Sequence, residues 1–276
     1  MEIKLIALDL DGTLLNSKKQ ASERTLNALR AAAAQGIHIV PTTGRMFGAM
    51  PKEVLACEFI RYGICMNGGQ IYDSKEDRVL HRDEIPLELA MRVYDYLDEI
   101  SEVYDCYVNN SAVMGRAFWE QLDQILAGKP LDLAYSKGIR TPVEDFRGYL
   151  RKLGMDLQKM QVFMADVSGR PAIMETLRTR FPELAVTYSL PYNIEMNTAT
   201  ATKGAALRIL CDHLGIPVAQ AAAFGDGTND ISMLEAAGVG VAMANAVPEA
   251  KAAANHETVS NDEDGVAVFL EKYVLK

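Results

Sequence analysis

The sequence lacks the features that mark secreted, membrane-bound and nucleic-acid-binding proteins. Its 276 residues include only four cysteines, which are scattered rather than set at metal-binding spacings, so we expect buried thiols and a reducing, cytoplasmic location. The first apolar run, residues 3–8, contains Lys4 and ends at Asp9, and is too short and too charged for a signal peptide or a membrane span. The net charge of -9, with both signs mixed along the chain, provides no basic stripe for nucleic acid. These absences predict a soluble protein that binds neither a membrane nor nucleic acid.

Several common enzyme motifs are also missing. There is no Walker P-loop, no Gly-x-Gly-x-x-Gly dinucleotide motif and no Gly-x-Ser-x-Gly elbow. Two aspartate-rich segments, Asp9 to Thr13 and Asp226 to Asp230, have the alternate spacing of a calcium-binding loop. Neither has its register, because the position that needs glycine is Leu14 in one and Ile231 in the other. The usual nucleotide, esterase and calcium-loop interpretations are therefore excluded.

What the sequence does contain is a repeated alternation of short apolar runs and helical patterns. The runs at residues 3–8, 37–40 and 63–66 predict buried parallel strands. Between the first two, a helix is predicted that is capped by Ser22, ends at Gly36 and has Leu26, Leu29 and Ala33 on one face. Later strand and helix patterns include a helix from Lys203 to Leu214. This alternation indicates an α/β protein whose parallel sheet is covered by helices on both faces.

The pattern changes in the middle of the chain, which predicts an insertion. From about Glu84 to Tyr192 other helices and strands alternate and most of the aromatic residues occur, and the first pattern returns at Asn193. We therefore predict a doubly wound, Rossmann-like core formed by residues 1–83 and 193–276. An inserted, smaller α/β domain should occupy residues 84–192.

Polar segments follow the predicted strands at the points where they end: Asp9 to Thr13, Thr42 to Arg45, Asn67 to Gly69 and Gly225 to Asp230. In open parallel sheets, ligands bind beyond the carboxyl ends of the strands. Taken singly, these segments have ordinary explanations, since an Asp-Gly pair is usually a turn and the last segment could be a solvated loop. Together they predict that carboxylates, hydroxyls and glycines gather at one edge of the sheet.

This set of groups meets the requirements for hydrolysis of a phosphate monoester. The reaction needs a nucleophile, neutralisation of the phosphoryl charge and a proton for the leaving group. Asp9 and Asp11 lie two residues apart, so on an extended strand end they could face the same way, one attacking and the other donating the proton. Asp226, with Asp9 and the carbonyl of Asp11, would offer hard oxygen ligands to Mg²⁺, which lets an anionic carboxylate approach an anionic phosphate.

The order of these segments resembles the four motifs of the haloacid dehalogenase superfamily over the whole chain. They are Asp-Leu-Asp-Gly-Thr, the threonine of Thr-Gly-Arg, a lysine ahead of a helix, and Gly-Asp-Gly-x-Asn-Asp. The insertion resembles the large α/β cap of the Cof-type sugar phosphatases, and the Asn-Gly-Gly before it is similar to that family's pattern. The resemblance implies a cytoplasmic, Mg²⁺-dependent phosphatase of small phosphorylated metabolites, sugar phosphates foremost, that acts through a phospho-aspartate.

The resemblance also implies roles for individual residues. Asp9 would be the nucleophile and Asp11 the general acid and base. The phosphate would be bound by Leu10, Thr43, Gly44, Lys203 and Asn229, and the substrate contacted by Arg45, Asn67 and Gly68. The metal ligands would be Asp9, Asp11 and Asp226, with Asp230 orienting the metal's surroundings.

Some of these roles have alternatives. A lysine at a helix start is ordinarily a solvated charge, and the helix dipole disfavours Lys203 there, so its place needs a functional reason. Arg45 could clamp the substrate or pair with a carboxylate of the cap. Thr42 would take the role of Thr43 if the strand register slipped, and either Asn229 or Asp230 could contact the metal.

Two rival functions also fit the motifs. A phosphomutase of the same superfamily would return the phosphoryl group to a second hydroxyl instead of to water. A phosphometabolite-binding regulator would keep the metal site without catalysis. Release of inorganic phosphate separates these alternatives from a phosphatase.

Overall fold

The computed structural model describes residues 2–128, 133–188 and 190–275, and only the backbone of residues 133–135. The chain divides into two compact units. The first comprises Met1–Arg82 and Ala201–Lys276, and the second comprises Asp83–Thr200.

Short strands and helices alternate along the described residues. The strands are β1 (Leu5–Leu8), β2 (His38–Pro41), β3 (Tyr62–Cys65), β4 (Gln70–Asp73), β5 (Arg78–Arg82), β6 (Val103–Val108), β7 (Ser111–Gly115), β8 (Arg140–Val143), β9 (Lys159–Phe163), β10 (Leu184–Thr187), β11 (Asn193–Thr198), β12 (Ala221–Gly225), β13 (Val239–Ala242) and β14 (His256–Glu257). The helices are α1 (Glu23–Ala34), α2 (Lys52–Leu55), α3 (Leu87–Glu99), α4 (Arg116–Ile125), α5 (Leu133–Gly138), α6 (Phe146–Leu153), α7 (Arg170–Arg180), α8 (Lys203–Leu214), α9 (Ile231–Ala236), α10 (Pro248–Ala253) and α11 (Gly265–Tyr273).

The first unit is built on a parallel sheet with the strand order β14-β13-β12-β1-β2. The connections β1-α1-β2 and β12-α9-β13 leave the central pair in opposite directions, so right-handed crossovers put α1 and α9 on opposite faces. Helix α11 packs with α1, and α8 packs with α9. The predicted α/β fold with a doubly wound parallel sheet is confirmed, and its topological switch point lies between β1 and β12.

The third predicted strand differs from the expectation. Residues 62–65 form β3, but the strand contributes only one parallel bridge, between Thr42 and Ile64. It otherwise pairs antiparallel with β4, which continues to β5 in a separate three-stranded sheet. An apolar run cannot distinguish the two pairings, because a buried strand reads the same in either orientation.

Helix α1 has the predicted ends but a different buried face. Ser22 is the N-cap and accepts a hydrogen bond from the Thr25 amide, and Gly36 follows the helix with a φ of +83°. The buried positions are Thr25, Ala28, Leu29 and Ala32. Of the three residues predicted to share one face, only Leu29 is among them.

The second unit holds a six-stranded sheet with the order β10-β11-β9-β6-β7-β8. Its neighbours are antiparallel, except that β7 and β8 are parallel. Helices α3, α6 and α7 contribute to one apolar cluster on this sheet, together with Tyr104, Cys106 and Met160 from the strands. The second unit therefore has a hydrophobic core of its own.

The predicted boundary at residue 193 requires correction. Strand β11, which we assigned to the first domain, pairs with β9 and β10 in the sheet of the second unit, and the first unit resumes only at Ala201. Asp83 likewise lies in the second unit rather than the first. The apolar run in β11 indicates a buried strand but not the sheet it joins, since sheet membership depends on partners distant in sequence.

All four cysteines, Cys57, Cys65, Cys106 and Cys211, are buried free thiols. Within the described ranges, no helix has the length and apolar character needed to cross a bilayer.

Candidate active site

The loops that follow β1 and β12 meet at the switch point of the parallel sheet. Thr13, from the first loop, donates a hydrogen bond to Asp226 Oδ1 in the second at 2.8 Å. Gly12 has a φ of +93°, and a Cβ there would lie 2.3 Å from Asp226 Oδ2. Glycine is therefore required where the first loop passes over the Asp226 carboxylate.

Lys203 links the two loops from the start of α8. Its side chain is fully buried, and Nζ lies 2.5 Å from Asp9 Oδ1 and 2.6 Å from Asp230 Oδ1. Burial by itself lowers the pKa of the lysine, but the two carboxylates outweigh this effect and raise it. Lys203 is thus a buried cation paired with two carboxylates, and it is not the solvated charge that a lysine at a helix start ordinarily is.

Asp230 shapes the loop after β12. Its Oδ1 pairs with Lys203, and its Oδ2 accepts hydrogen bonds from the Asp226 and Gly227 amides at 2.9 and 2.8 Å. With both oxygens engaged and the side chain buried, Asp230 orients Asp226 from behind. This geometry is compatible with the predicted role of Asp230, which is to orient the groups around a metal ion.

Three carboxylates converge beside the lysine. One carboxylate oxygen from each of Asp9, Asp226 and Asp230 lies within 4.8 Å of the other two. Burial raises the pKa of Asp9, and although Lys203 opposes this, Asp230 and Asp226 raise it further. Burial and the neighbouring Asp230 likewise raise the pKa of Asp226 to about 6. Hard, mutually repelling oxygen donors of this kind fit a divalent cation.

Asp11 has different surroundings. Arg45 donates to both of its carboxylate oxygens, from Nε at 3.0 Å and from Nη2 at 2.8 Å, and Lys19 Nζ donates to Oδ1 at 2.9 Å. Burial would raise the pKa of Asp11, but the two cations outweigh it and lower the pKa below its ordinary value. Arg45 therefore pairs with Asp11, the predicted acid and base.

The two threonines after β2 make different hydrogen bonds. The Thr42 hydroxyl donates to the carbonyl of Val40 in its own strand at 3.1 Å. The Thr43 hydroxyl accepts from the Arg45 amide at 3.2 Å, beside the Arg45 to Asp11 pair. This difference supports Thr43 as the candidate ligand.

The remaining predicted residues lie close to this group. Asn229 Nδ2 donates to Asn67 Oδ1 at 3.2 Å, and the Asn67 amide group packs against the Cα of Gly44. Gly68 contacts the backbone at the start of α8. Leu10 is buried, and its carbonyl accepts from the Leu15 amide at 2.8 Å.

Three residues that the sequence analysis did not assign also belong to this region. Thr13 bonds Asp226, Lys19 bonds Asp11, and Asn245 Nδ2 donates to the Gly12 carbonyl at 2.8 Å. Thr13 could have been identified, because it alternates with Asp9 and Asp11 in the first motif. Lys19 and Asn245 carry no local signal, since their contacts depend on loop geometry.

Known proteins align with nearly the entire chain. A sequence profile of haloacid dehalogenase-like hydrolases matches residues 6–270. The chain is 34% identical to the phosphatase YwpJ of Bacillus subtilis, with 98% of this chain and 99% of YwpJ aligned. It is 31% identical to the 5-amino-6-(5-phospho-D-ribitylamino)uracil phosphatase YcsE of the same organism, with 100% and 97% aligned. A solved structure of a haloacid dehalogenase-like hydrolase from B. subtilis, 32% identical, matches with a TM-score of 0.81 over 99% of this chain and 100% of that one.

Proposed function

Because the chain belongs to the haloacid dehalogenase-like hydrolases and is a Cof-type phosphatase, a phosphoric monoester hydrolase, we propose that it hydrolyses small phosphorylated metabolites, sugar phosphates foremost. We propose further that the reaction requires Mg²⁺ and passes through a phospho-aspartate at Asp9. One observation carries this proposal: the buried Asp9 carboxylate is bonded to Lys203 and lies beside the Asp226 and Asp230 carboxylates at the switch point. A held carboxylate next to a fixed cation is suited to attack an anionic phosphoryl group.

In the first step, an oxygen of Asp9 bonds to phosphorus while the bond from phosphorus to the ester oxygen breaks. The departing alkoxide takes a proton from Asp11. In the second step, Asp11 removes a proton from water, which attacks the phospho-aspartate and releases inorganic phosphate with Asp9 restored. The same carboxyl serves first as acid and then as base.

Asp11 has to change its surroundings to act as the acid. Its contacts with Arg45 and Lys19 lower the pKa of its carboxyl and favour the ionised form. Movement away from the two cations would raise that pKa and allow Asp11 to carry the proton. The paired conformation suits the base, and the separated one suits the acid.

The phosphoryl oxygens would be held by groups around the lysine. Lys203 offers a buried positive charge, and Thr43 can donate its hydroxyl hydrogen because its oxygen already accepts from the Arg45 amide. We assign additional contacts to Leu10, Gly44 and Asn229. Such preorganised donors stabilise charge that develops in the transition state.

The candidate ligands for Mg²⁺ are Asp9, Asp226 and the backbone carbonyl of Asp11. The close carboxylates fit a divalent cation. Thr13 donates a hydrogen bond to the Asp226 carboxylate and Asp230 accepts one from the Asp226 amide, and both orient Asp226 for this role. When bound, the ion neutralises negative charge shared between the carboxylates and the phosphate.

The substrate class is drawn from the relatives and the site together. YcsE is named for a ribityl phosphate ester, which is close in chemistry to a sugar phosphate, and Lys203 places one buried positive charge beside Asp9. The buried free thiols agree with a reducing compartment, and we therefore propose that the reaction occurs in the cytoplasm.

A phosphate-release screen tests this function directly. The purified chain would be assayed on sugar phosphates, nucleoside monophosphates and phosphorylated cofactors, with Mg²⁺ and with a chelator. We expect release to be fastest with sugar phosphates, to stop in chelator and to return when Mg²⁺ is restored. Transfer of the phosphoryl group to a second hydroxyl without release of phosphate would identify a mutase, and release from none of the esters would refute the proposal.

A further inference from the structure

The segment Met66–Gly68 has an unusual backbone for a buried position. Three consecutive residues have positive φ angles, 53° at Met66, 56° at Asn67 and 109° at Gly68. Met66 and Asn67 are also buried, with exposures of 0% and 6%. L-amino acids rarely adopt this conformation, and it persists where the surrounding structure holds it, often at functional sites. We call this segment the left-handed turn.

One side of the left-handed turn is bonded to the segment that carries Thr43. The Asn67 amide donates to the Thr43 carbonyl at 3.0 Å, and the Met66 amide donates to the Arg45 carbonyl at 3.2 Å. Between them lies Gly44, where a Cβ would be 2.9 Å from Asn67 Oδ1. The left-handed turn therefore supports the backbone that presents the Thr43 hydroxyl.

The end of the left-handed turn contacts the start of α8. A Cβ on Gly68 would lie 2.2 Å from the Thr202 carbonyl oxygen and 3.0 Å from the Lys203 amide nitrogen. These are backbone atoms that a side chain could not push aside. The position of Lys203 is thus coupled to the left-handed turn.

The Asn67 side chain makes the third connection. Its Oδ1 accepts from Asn229 Nδ2 at 3.2 Å, although the two residues are far apart in sequence. Asn229 lies in the loop whose other members, Asp226 and Asp230, border Asp9. Asn67 therefore joins the Thr43 segment to the loop after β12.

We propose that Asn67 is a positioning residue: from the left-handed turn, its amide holds Asn229 and supports Gly44, so that the Thr43 segment, Lys203 and the loop after β12 keep one arrangement around a bound phosphoryl group. This inference rests on the proposed function and changes one of its assignments, because the sequence analysis placed Asn67 in contact with the substrate. A side chain that is almost fully buried and bonded to Asn229 is suited to hold other ligands in place. Its contribution should be the same for every leaving group.

A double-mutant cycle tests this role, with Asn67→Gly, Asn229→Ala and the combined variant. Glycine removes the side chain while tolerating the positive φ, so the backbone of the left-handed turn can remain. We would measure kcat and KM with an aryl phosphate and with a sugar phosphate. Binding of inorganic phosphate in Mg²⁺ would be measured by titration calorimetry, and folding by thermal melting.

We expect each single variant to lose about 10- to 100-fold in kcat/KM, by the same factor for both substrates, as misplacement of catalytic groups would cause. Phosphate binding should weaken in parallel. The kcat/KM of the combined variant should lie within about twofold of the kcat/KM of the less active single variant, because the effects of coupled residues do not add. Asn109→Gly is the matched control, since Asn109 is an exposed asparagine with a φ of 49°, and it should leave both activity and binding unchanged.

Two results would overturn the proposal in a folded variant. The first is a combined variant whose loss in kcat/KM equals the product of the two single losses. The second is an increase in KM for the sugar phosphate alone, which would make Asn67 a contact for the leaving group. Failure of the proposed function looks different, because the unaltered chain would then release phosphate from no ester. The calorimetric cycle would still report whether Asn67 and Asn229 act together on a bound phosphate.

Discussion

Asp9 and Asp11 are separated by a single residue, but they lie in opposite electrostatic surroundings. The Asp9 side chain is 9% exposed and has two carboxylates and one lysine beside it, so burial and like charge raise its pKa. The Asp11 side chain is 39% exposed, and Arg45 and Lys19 lower its pKa. The difference arises because Asp9 directly follows the buried strand β1, whereas Asp11 lies in the loop beyond it. Two aspartates that lie two positions apart therefore have different charge environments.

The largest effect is expected from Asp9→Ala, which removes the proposed nucleophile. Turnover should fall below detection, since uncatalysed hydrolysis of phosphate monoesters is slower than enzymatic rates by up to about 10²¹-fold. Phosphate release measures the loss, and the melting temperature checks that Lys203, still paired with Asp230, keeps the site folded. Turnover within about 10⁴-fold of the unaltered chain, the range of general acid-base help, would assign the nucleophile elsewhere.

Asp226→Ala tests whether the carboxylates around Asp9 form a metal site. Loss of several kcal/mol of charge stabilisation should reduce kcat by about 10²-fold or more. Mg²⁺ affinity, measured by calorimetry with the metal alone, should fall with it. Asp212→Ala is a matched control, because Asp212 is exposed near the end of α8 and should change neither value. Normal Mg²⁺ binding by Asp226→Ala would contradict the assignment.

Asp11→Asn should have a smaller effect that depends on the leaving group. General acid-base help is worth about 10²- to 10⁴-fold, and the nucleophile remains in place. An aryl phosphate needs little protonation on departure, so a burst of phenol followed by slow turnover is expected, because the phospho-aspartate still lacks its base. A sugar phosphate should show no burst. A burst with Asp9→Asn and none with Asp11→Asn would exchange the two roles.

The smallest effect is expected from Lys19→Ala. Lys19 is 63% exposed in its pair with Asp11, and exposed ion pairs are worth about 0.2–1 kcal/mol, so kcat/KM should change by no more than about fivefold. Because Lys19 helps to lower the pKa of Asp11, its removal should raise that pKa. The acidic limb of the pH-rate profile should therefore move to higher pH. An acidic limb that stays in place, or one displaced to lower pH, would show that Lys19 does not lower the pKa of Asp11.

The fold class could be predicted because its signals are local. Apolar runs that end in polar residues indicate strands, and Ser22 and Gly36 mark the ends of α1 where the structure has them. The pairing of β3 and the domain of β11 could not be predicted. Both depend on which distant segments supply hydrogen bonds, and an apolar run carries no information about them.

For the candidate site, the sequence likewise predicted which segments meet but not the contacts between their side chains. The segments bearing Asp9, Thr43 and Asp226 were expected at one sheet edge, and Lys203 was added to them by the family resemblance. In the structure, Lys203 and Asp226 lie beside Asp9. Their chemical roles remain predictions. The pairing of Arg45 with Asp11 and the bond from Asn229 to Asn67 were not anticipated, because each joins side chains from different loops.

The sequence by itself determined which residue types follow each strand, and hence the class of chemistry that this edge of the sheet can support. Only the tertiary structure decided which groups pair and which backbone conformations they adopt. Lys203 is buried between two carboxylates, Asp11 pairs with two cations, and Asn67 lies in a left-handed turn. The physical reason is that strand and helix patterns arise from neighbours along the chain. Burial, pKa and hydrogen bonding arise from groups that meet only when the chain folds.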